Sequence, residues 1–292
     1  MKIKSECVPC LIKRIIFEAE QSTKDEKVMI KTIQNACNAL AELYDSNAVS
    51  AEVATKVHRI VYETLGDIDP YAKLKSQSNE IAKTLIPRVE ELIGVCDDPL
   101  RMSIICSIVG NLLDFGIKGG SENPVKLSEI FEDILSQDLG YDDTDKVKDQ
   151  LLKSKKVMLF TDNCGEIVFD KILCREIKFF NPDVHLTLVV KGEKILSDAT
   201  MQDAESLGFF EVVDEILTTG CFAVGVDFRK LPSSLEKALG NVDLIICKGM
   251  ANYESFSETD YKPIVYFLRT KCTAIADSMN LPLDINAVKL YS

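Results

Sequence analysis

Hydrophobic spacing changes period once along this 292-residue chain, and the change constrains the fold more than any other feature. From Met1 to about Leu152, apolar residues recur every three or four positions and no clean alternation appears, which is a helical pattern. Leu11, Ile12, Ile15, Ile16 and Ala19 form one face of a first helix, and further helices are expected around Lys24–Tyr44, Ala51–Leu65, Tyr71–Gly94, Leu100–Asp114 and Val125–Leu139. Turn chemistry separates them at Gly66–Pro70, Asp97-Asp98-Pro99, Gly119-Gly120 and Gly140–Thr144. After Lys156, short runs of Val, Ile and Leu alternate with helical stretches, the signature of a mostly parallel sheet with crossover helices. Strands are expected at Val157–Thr161, Val184–Val190, either Glu211–Val213 or Glu215–Leu217, Val242–Cys247, Ile264–Phe267 and Ala287–Tyr291, with helices over Glu166–Phe179, Ala199–Leu207 and Ser233–Leu239. The reading is an α/β protein: an all-helical bundle over residues 1–152 that contributes to a cleft, then a three-layer α/β/α, Rossmann-like domain over 153–292.

Charge narrows the partners. The net charge of −12 arises from 46 Asp and Glu against 34 Lys and Arg, with no segregated basic patch, which disfavours nucleic acid. No apolar run approaches the roughly 18–20 residues of a membrane span, and the first residues lack a secretory signal, so a cytoplasmic protein without a membrane partner is expected. The ten cysteines are scattered, and most are expected to be buried apolar thiols. Cys7 and Cys10 share a helical face but supply only half a zinc site. His58 and His185, the only histidines, are too few for a histidine-rich metal site and receive no role.

In open parallel sheets ligands bind beyond the carboxyl ends of the strands. The first such end reads Phe160-Thr161-Asp162-Asn163-Cys164-Gly165-Glu166, short oxygen donors followed by a helix. Asp162 and Asn163 suit either a hard divalent cation or simple helix capping. The second end leads through Lys191-Gly192 to Asp198, again a possible cap; if the two strands are neighbours, Asp162, Asn163 and Asp198 can converge on one metal with positions left for water and substrate. The third, Cys247-Lys248-Gly249-Met250-Ala251-Asn252, places a lysine at the rim beside glycine-exposed N–H groups, suited to phosphate, although a solvated lysine before a turn reads the same way. Lys271 after the next strand adds a further cation.

Asp-Asn-x-Gly-Glu-Ile-x-Phe-Asp at 162–170, Lys-Gly at 191–192 with Asp-Ala-Thr at 198–200, Lys-Gly-x-x-Asn-Tyr-Glu at 248–254 and Lys-Cys at 271–272 together resemble the metal-dependent damage-control phosphatases, the domain-of-unknown-function 89 family. The likeness extends to Cys7-Val8-Pro9-Cys10, Asp69-Pro70-Tyr71, Asn79, Asp98-Pro99-Leu100 and Gly110–Phe115, covering nearly the whole chain and matching the short subfamily with an N-terminal cysteine pair. Cys164 and Ala251 depart from the commoner Ala and Gly of the motifs. The resemblance implies a divalent metal (Mn, Co, Ni or Mg) at Asp162, Asn163 and Asp198, and hydrolysis of small phosphate esters such as sugar phosphates or damaged phosphometabolites.

On that basis Asp162, Glu166 and Lys248 are the candidate catalytic residues. Asn111, Asp114, Lys191, Lys248, Gly249, Met250, Asn252 and Lys271 are the candidate phosphate or substrate contacts. Glu166 suits a water-orienting base or a favourable charge at a helix start. Asn111 and Asp114, three apart, share a helix face toward the cleft or form a polar helix end. A haloacid-dehalogenase-type site would need Asp-x-Asp, which Asp162-Asn163-Cys164 does not supply. An S-adenosylmethionine-dependent carboxyl methyltransferase would need a glycine-rich loop where only Gly165 stands, and a non-catalytic metabolite-binding protein would keep the pocket without the metal set.

Overall fold

The computed structural model describes residues 1–111 and 131–292. Asp114, the Gly119-Gly120 turn and the first part of the helix expected over Val125–Leu139 lie outside the described residues; 131–135 are helical.

The helical half opens with α1 (Cys7–Ser22), α2 (Glu26–Leu43) and α3 (Ser50–Leu65). Asp25 caps α2 through the N–H of Lys27 at 2.8 Å, and Gly66 ends α3 in the left-handed region. Ile15, Ala36, Leu40, Val57 and Val61 form their shared core, which also takes in Ile195, Phe222 and Val224 from the loops of the sheet half. α4 (Ala72–Val95) and α5 (Pro99–Gly110) follow, the latter started by Asp98 as cap and Pro99 at its first position. α5 is buried almost all round, so it lies inside the protein and leads directly to Asn111.

The sheet half contains β1 (Tyr141–Asp142), α6 (Thr144–Lys153), β2 (Lys156–Phe160), α7 (Glu166–Phe180), β3 (His185–Val190), α8 (Met201–Ser206) and β4 (Glu215–Thr218). It continues with α9 (Ser233–Leu239), β5 (Leu244–Lys248), α10 (Gly249–Phe256), β6 (Ile264–Arg269), α11 (Thr273–Met279) and β7 (Asn286–Tyr291). The strand order is β1-β7-β6-β5-β2-β3-β4, parallel throughout except for the antiparallel β6–β7 pair. Alternation assigns the two faces. Val157, Leu159, Leu244, Ile246, Val265 and Phe267 point toward α5–α8, whereas Met158, Phe160, Ile245, Cys247, Tyr266 and Leu268 point toward α9–α11.

The sheet reaches further back than the periodicity implied. The polar stretch expected only as a break carries β1, because the outer edge of β7 is otherwise open and pairs Tyr141 with Ala287 and Asp142 with Val288. The choice left open around 211–217 resolves to Glu215–Thr218, with Phe209–Glu211 a short 3-10 turn. α6, α10 and α11 went unanticipated, although α8 and α9, of six and seven residues, were expected.

α5 and α7 approach closely beneath the sheet's carboxyl edge. A Cβ on Gly110 would stand 2.4 Å from the Phe169 ring and 3.3 Å from the Glu166 backbone. Gly110→Ala is therefore expected to cost about 1–3 kcal/mol by overpacking. Urea denaturation should show a lowered midpoint with an unchanged slope.

Candidate active site

β2 lies between β3 and β5, so successive crossovers leave it in opposite directions and open a crevice at the carboxyl ends of these three strands. The segments beyond β2 and β3 are joined there by backbone hydrogen bonds: Ala199 N–H donates to Asp162 O at 2.9 Å, and Cys164 N–H to Ser197 O at 2.8 Å. Asn163 and Asp198 thereby become bridge partners. The adjacency on which the three-residue convergence depended is present.

Simple capping does not account for these residues. The N-cap of α7 is Gly165, with no side-chain cap. α8 is capped by Thr200 in a capping box with Asp203, not by Asp198. The Asp162 carboxylate instead accepts from Asn111 Nδ2 and Asn163 Nδ2, each at 2.8 Å, while Ser197 Oγ donates to Asn163 Oδ1 at 2.6 Å. Gly249, at φ +70°, lies so close that a Cβ would fall 1.9 Å from Asp162 Oδ2, so only glycine fits between β5 and that carboxylate. Burial raises the Asp162 pKa well above the ordinary carboxylate value, and the neighbouring Glu166 and Asp198 carboxylates add to the rise.

Behind this group lies a second, fully buried one. Lys248 Nζ donates to Glu166 Oε1, to Asp170 Oδ1 at 2.7 Å and to Ser107 O at 3.1 Å; Ser107 Oγ also reaches Asp170 at 2.6 Å. Glu166 in turn accepts from Asn111 Nδ2. Burial works to lower the Lys248 pKa, but Asp170 and Glu166 outweigh it and leave the pKa above the usual lysine value. Burial raises the Glu166 pKa, opposed by Lys248.

A cavity of about 320 Å³ opens in front. Asn111, Asp162, Asn163, Asp198, Met250 and Lys271 line it, with Lys271 Nζ donating to the Asn111 carbonyl at 2.7 Å. The other expected residues stand behind its wall. Lys248 is not at the rim: strand alternation sends it to the face covered by α5 and α7, and it is wholly buried. Lys191 is buried too, paired with Asp198 at 3.2 Å and donating to Gly225 O. Asn252 Nδ2 ties Thr161 O at 2.9 Å to Lys248 O at 2.8 Å. Glu166 and Gly249 support the wall from behind, and Asp114 lies outside the described residues.

The helical half also lines the cavity, through residues that include Arg14, Ser50 and His58. Cys7 is half-buried, Cys10 is exposed, and both line the cavity with Cys272, so the expectation of buried thiols is corrected for this pair: the first turn of α1 borders the cleft while Cys7 and Val8 also pack against the bundle core. Sequence reasoning also passed over Ser107, Ser197 and the structural weight of Asp170. Asp170 stands four residues after Glu166 and Ser107 four before Asn111, spacings that put each pair on one helix face.

Among the described residues, no group of three or more His, Cys, Asp or Glu side chains could hold a metal ion. The candidate donor set is smaller: two carboxylates, Asp162 and Asp198, and the Asn163 amide. These are hard oxygen ligands of the kind that bind magnesium-like ions through one or two carboxylates and leave the other positions to water and substrate. Lys191 pairs with Asp198 and Lys248 with Glu166 and Asp170, while Lys271 stands on the same cavity wall as Asp162.

Residues 3–284 match the model of the damage-control phosphatase ARMT1-like domain. A damage-control phosphatase of Archaeoglobus fulgidus is 40% identical over 276 residues, covering 94% of each chain. Another, of Pyrococcus horikoshii, is 28% identical over 97% of this chain and 96% of the relative. The crystal structure of a DUF89 family protein from Pyrococcus horikoshii superposes with a TM-score of 0.88 at 27% identity, covering 100% of both chains. The chain belongs to the damage-control phosphatase family with the ARMT1-like domain.

Proposed function

We propose that the protein is a phosphatase that hydrolyses small phosphate monoesters, sugar phosphates or damaged phosphometabolites, with a divalent cation (Mn, Co, Ni or Mg) held by Asp162, Asn163 and Asp198. The observation that carries the proposal is the convergence of those three residues on the wall of a metabolite-sized cavity, with the Asp162 carboxyl raised by burial and by the neighbouring Glu166 and Asp198 carboxylates. The damage-control phosphatase relatives support the reaction class.

A bound divalent cation would polarise a phosphoryl oxygen and make water a better nucleophile. The protein's own share is mostly positioning and charge, which is what phosphoryl transfer demands. Lys271, anchored on Asn111, presents its ammonium on the cavity wall to a phosphoryl oxygen. The N–H groups of Gly249 and Met250 open α10 beside Asp162 and add partial positive charge. Glu166 is a positioning residue: one carboxylate oxygen holds Asn111, which holds Asp162, and the other holds Lys248. Lys248 acts through that carboxylate, not by touching phosphate.

The methyltransferase alternative requires a glycine-rich loop after the first long strand. β2 is followed instead by Asp162 and Asn163 on the cavity wall.

Three outcomes are expected. Hydrolysis of 4-nitrophenyl phosphate and of sugar phosphates should require added Mn, Co, Ni or Mg and fall by about 100-fold or more in Asp162→Ala. Metal-independent turnover, or full activity in that variant, would overturn the mechanism, and tight S-adenosylmethionine binding by a protein without phosphatase activity would favour the alternative. Lys271→Ala should act mainly through KM, raising it about tenfold, the scale of one charge-assisted contact of roughly 1.5 kcal/mol. Lys248→Met should cost about 3–5 kcal/mol in urea unfolding, because Glu166 and Asp170 are left buried without their cation.

A further inference from the structure

The chain has two histidines, in very different settings. His185 begins β3 with its side chain half exposed, 3.9 Å from Glu215. His58 lies in α3, almost wholly buried, on the wall of the cavity that also holds Asp162 and Lys271. Its Nδ1 is 3.0 Å from Glu18 Oε2 and 2.9 Å from Oε1, and Glu18, on α1, has no solvent exposure. A carboxylate accepts hydrogen bonds, so the proton on this side belongs to Nδ1, and the ring is fixed in both tautomer and orientation. Among the described residues, His58 makes no other side-chain hydrogen bond.

Stability alone does not explain the pair. Glu18 and His58 sit beside Ile15, Ala54, Val57 and Val61, where a buried polar pair typically gains little over apolar side chains of similar volume. What the arrangement does accomplish is to hold an imidazole rigidly at the cavity wall, in the way a carboxylate orients a functional histidine elsewhere in protein chemistry. Carried by α3 of the helical half, that imidazole lines the same cavity as Asp162, Asp198 and Lys271 of the strand ends.

Resting on the phosphatase reading above, we propose that His58, oriented by Glu18, hydrogen-bonds a hydroxyl of the alcohol portion of the phosphate ester through Nε2. It thereby selects hydroxylated esters over aryl phosphates. Its contact is with the leaving group; the phosphoryl group is handled by the strand ends.

The test compares the wild type, His58→Gln and Glu18→Gln on two esters: 4-nitrophenyl phosphate and the sugar phosphate that the wild type hydrolyses fastest from a panel of pentose and hexose monophosphates. Both variants should lose at least about tenfold in kcat/KM on the sugar phosphate, chiefly through KM, while 4-nitrophenyl phosphate changes less than about threefold, since a group that hydrogen-bonds a substrate hydroxyl discriminates on that hydroxyl alone. Parallel losses on both esters would mean a merely structural pair and overturn the proposal. So would unchanged kinetics on both, or a wild type that cleaves the aryl ester and no sugar phosphate. A wild type inactive on every ester fails the phosphatase reading itself. A measurement without variants guards against misfolding: with only two imidazoles, their ¹⁵N resonances in the magnesium-supplemented wild type are separable. A non-hydrolysable sugar phosphonate should shift His58 Nε2 and leave His185 in place, and inorganic phosphate should shift neither. A His58 resonance that ignores the phosphonate, or responds equally to phosphate, overturns the contact.

Discussion

A single ammonium group without solvent exposure, that of Lys248, holds the active site together. It sits at the last position of β5 and bonds to Glu166 and Asp170 on α7 and to the Ser107 carbonyl on α5, so one cation ties the sheet to the two helices beneath it. Removing such charges from water is expensive, and the hydrogen bonds that Lys248 makes to Glu166, Asp170 and the Ser107 carbonyl offset part of the cost. The consequence reaches the cavity through a chain of contacts. Glu166, fixed by Lys248, accepts from the Asn111 amide, which donates to Asp162; Lys271 is held by the Asn111 carbonyl. Loss of the buried ammonium would free the carboxylate that orients Asn111, and with it the geometry on the wall. The wall and its support are thus one network, even though only the former meets a ligand.

Much of the fold was legible because burial imposes period. β2, β3, β5 and β6 are lined on both faces, and their Val, Ile and Leu runs read as strands to within one or two residues, as did the amphipathic helices of the first half. What stayed hidden were β1, two residues long and so without a period, and the helices α6, α10 and α11. The site was legible in part for a related reason. Residues placed just after strands can be named from sequence, which is how Asp162, Asn163, Asp198 and Lys271 were found. The direction in which a strand-end side chain points depends on register and on which helices cover each face. Lys248 and Lys191 were therefore expected at a rim, yet both lie inside. His58 and Glu18 are 40 residues apart on separate helices, and no local pattern relates them.

The division between halves of the chain now carries chemical meaning. Under the proposed function the strand ends supply Asp162, Asn163, Asp198 and Lys271 to phosphate and cation, whereas α1 and α3 supply Cys7, Cys10, Arg14, Ser50 and His58 to the same cavity. Ile195, Phe222 and Val224, from the loops beyond β3 and β4, are built into the core of the helical bundle, so the walls are joined by packed apolar contacts and not by a linker. A cavity formed in this way has a spacing fixed by core packing, and interiors that close-pack deform little. Under the proposed function, selectivity among esters can then change on α1 and α3 while the strand ends keep their arrangement.

Net charge acquires a similar precision. An excess of acid across the surface disfavours polyanions, and the carboxylates of Asp162 and Asp198 would repel even a small phosphate dianion at the cavity wall. Under the proposed mechanism a cation at these residues reverses the local sign, so phosphate affinity depends on whether the metal is bound. Linkage makes the dependence mutual: the factor by which the metal tightens phosphate binding is the factor by which phosphate tightens the metal. A site with only two carboxylates and an amide as ligands would hold its cation modestly alone and firmly once substrate oxygens complete the coordination. The sparse donor set, which fails as a stand-alone metal cluster among the described residues, is on this argument what makes metal retention responsive to substrate.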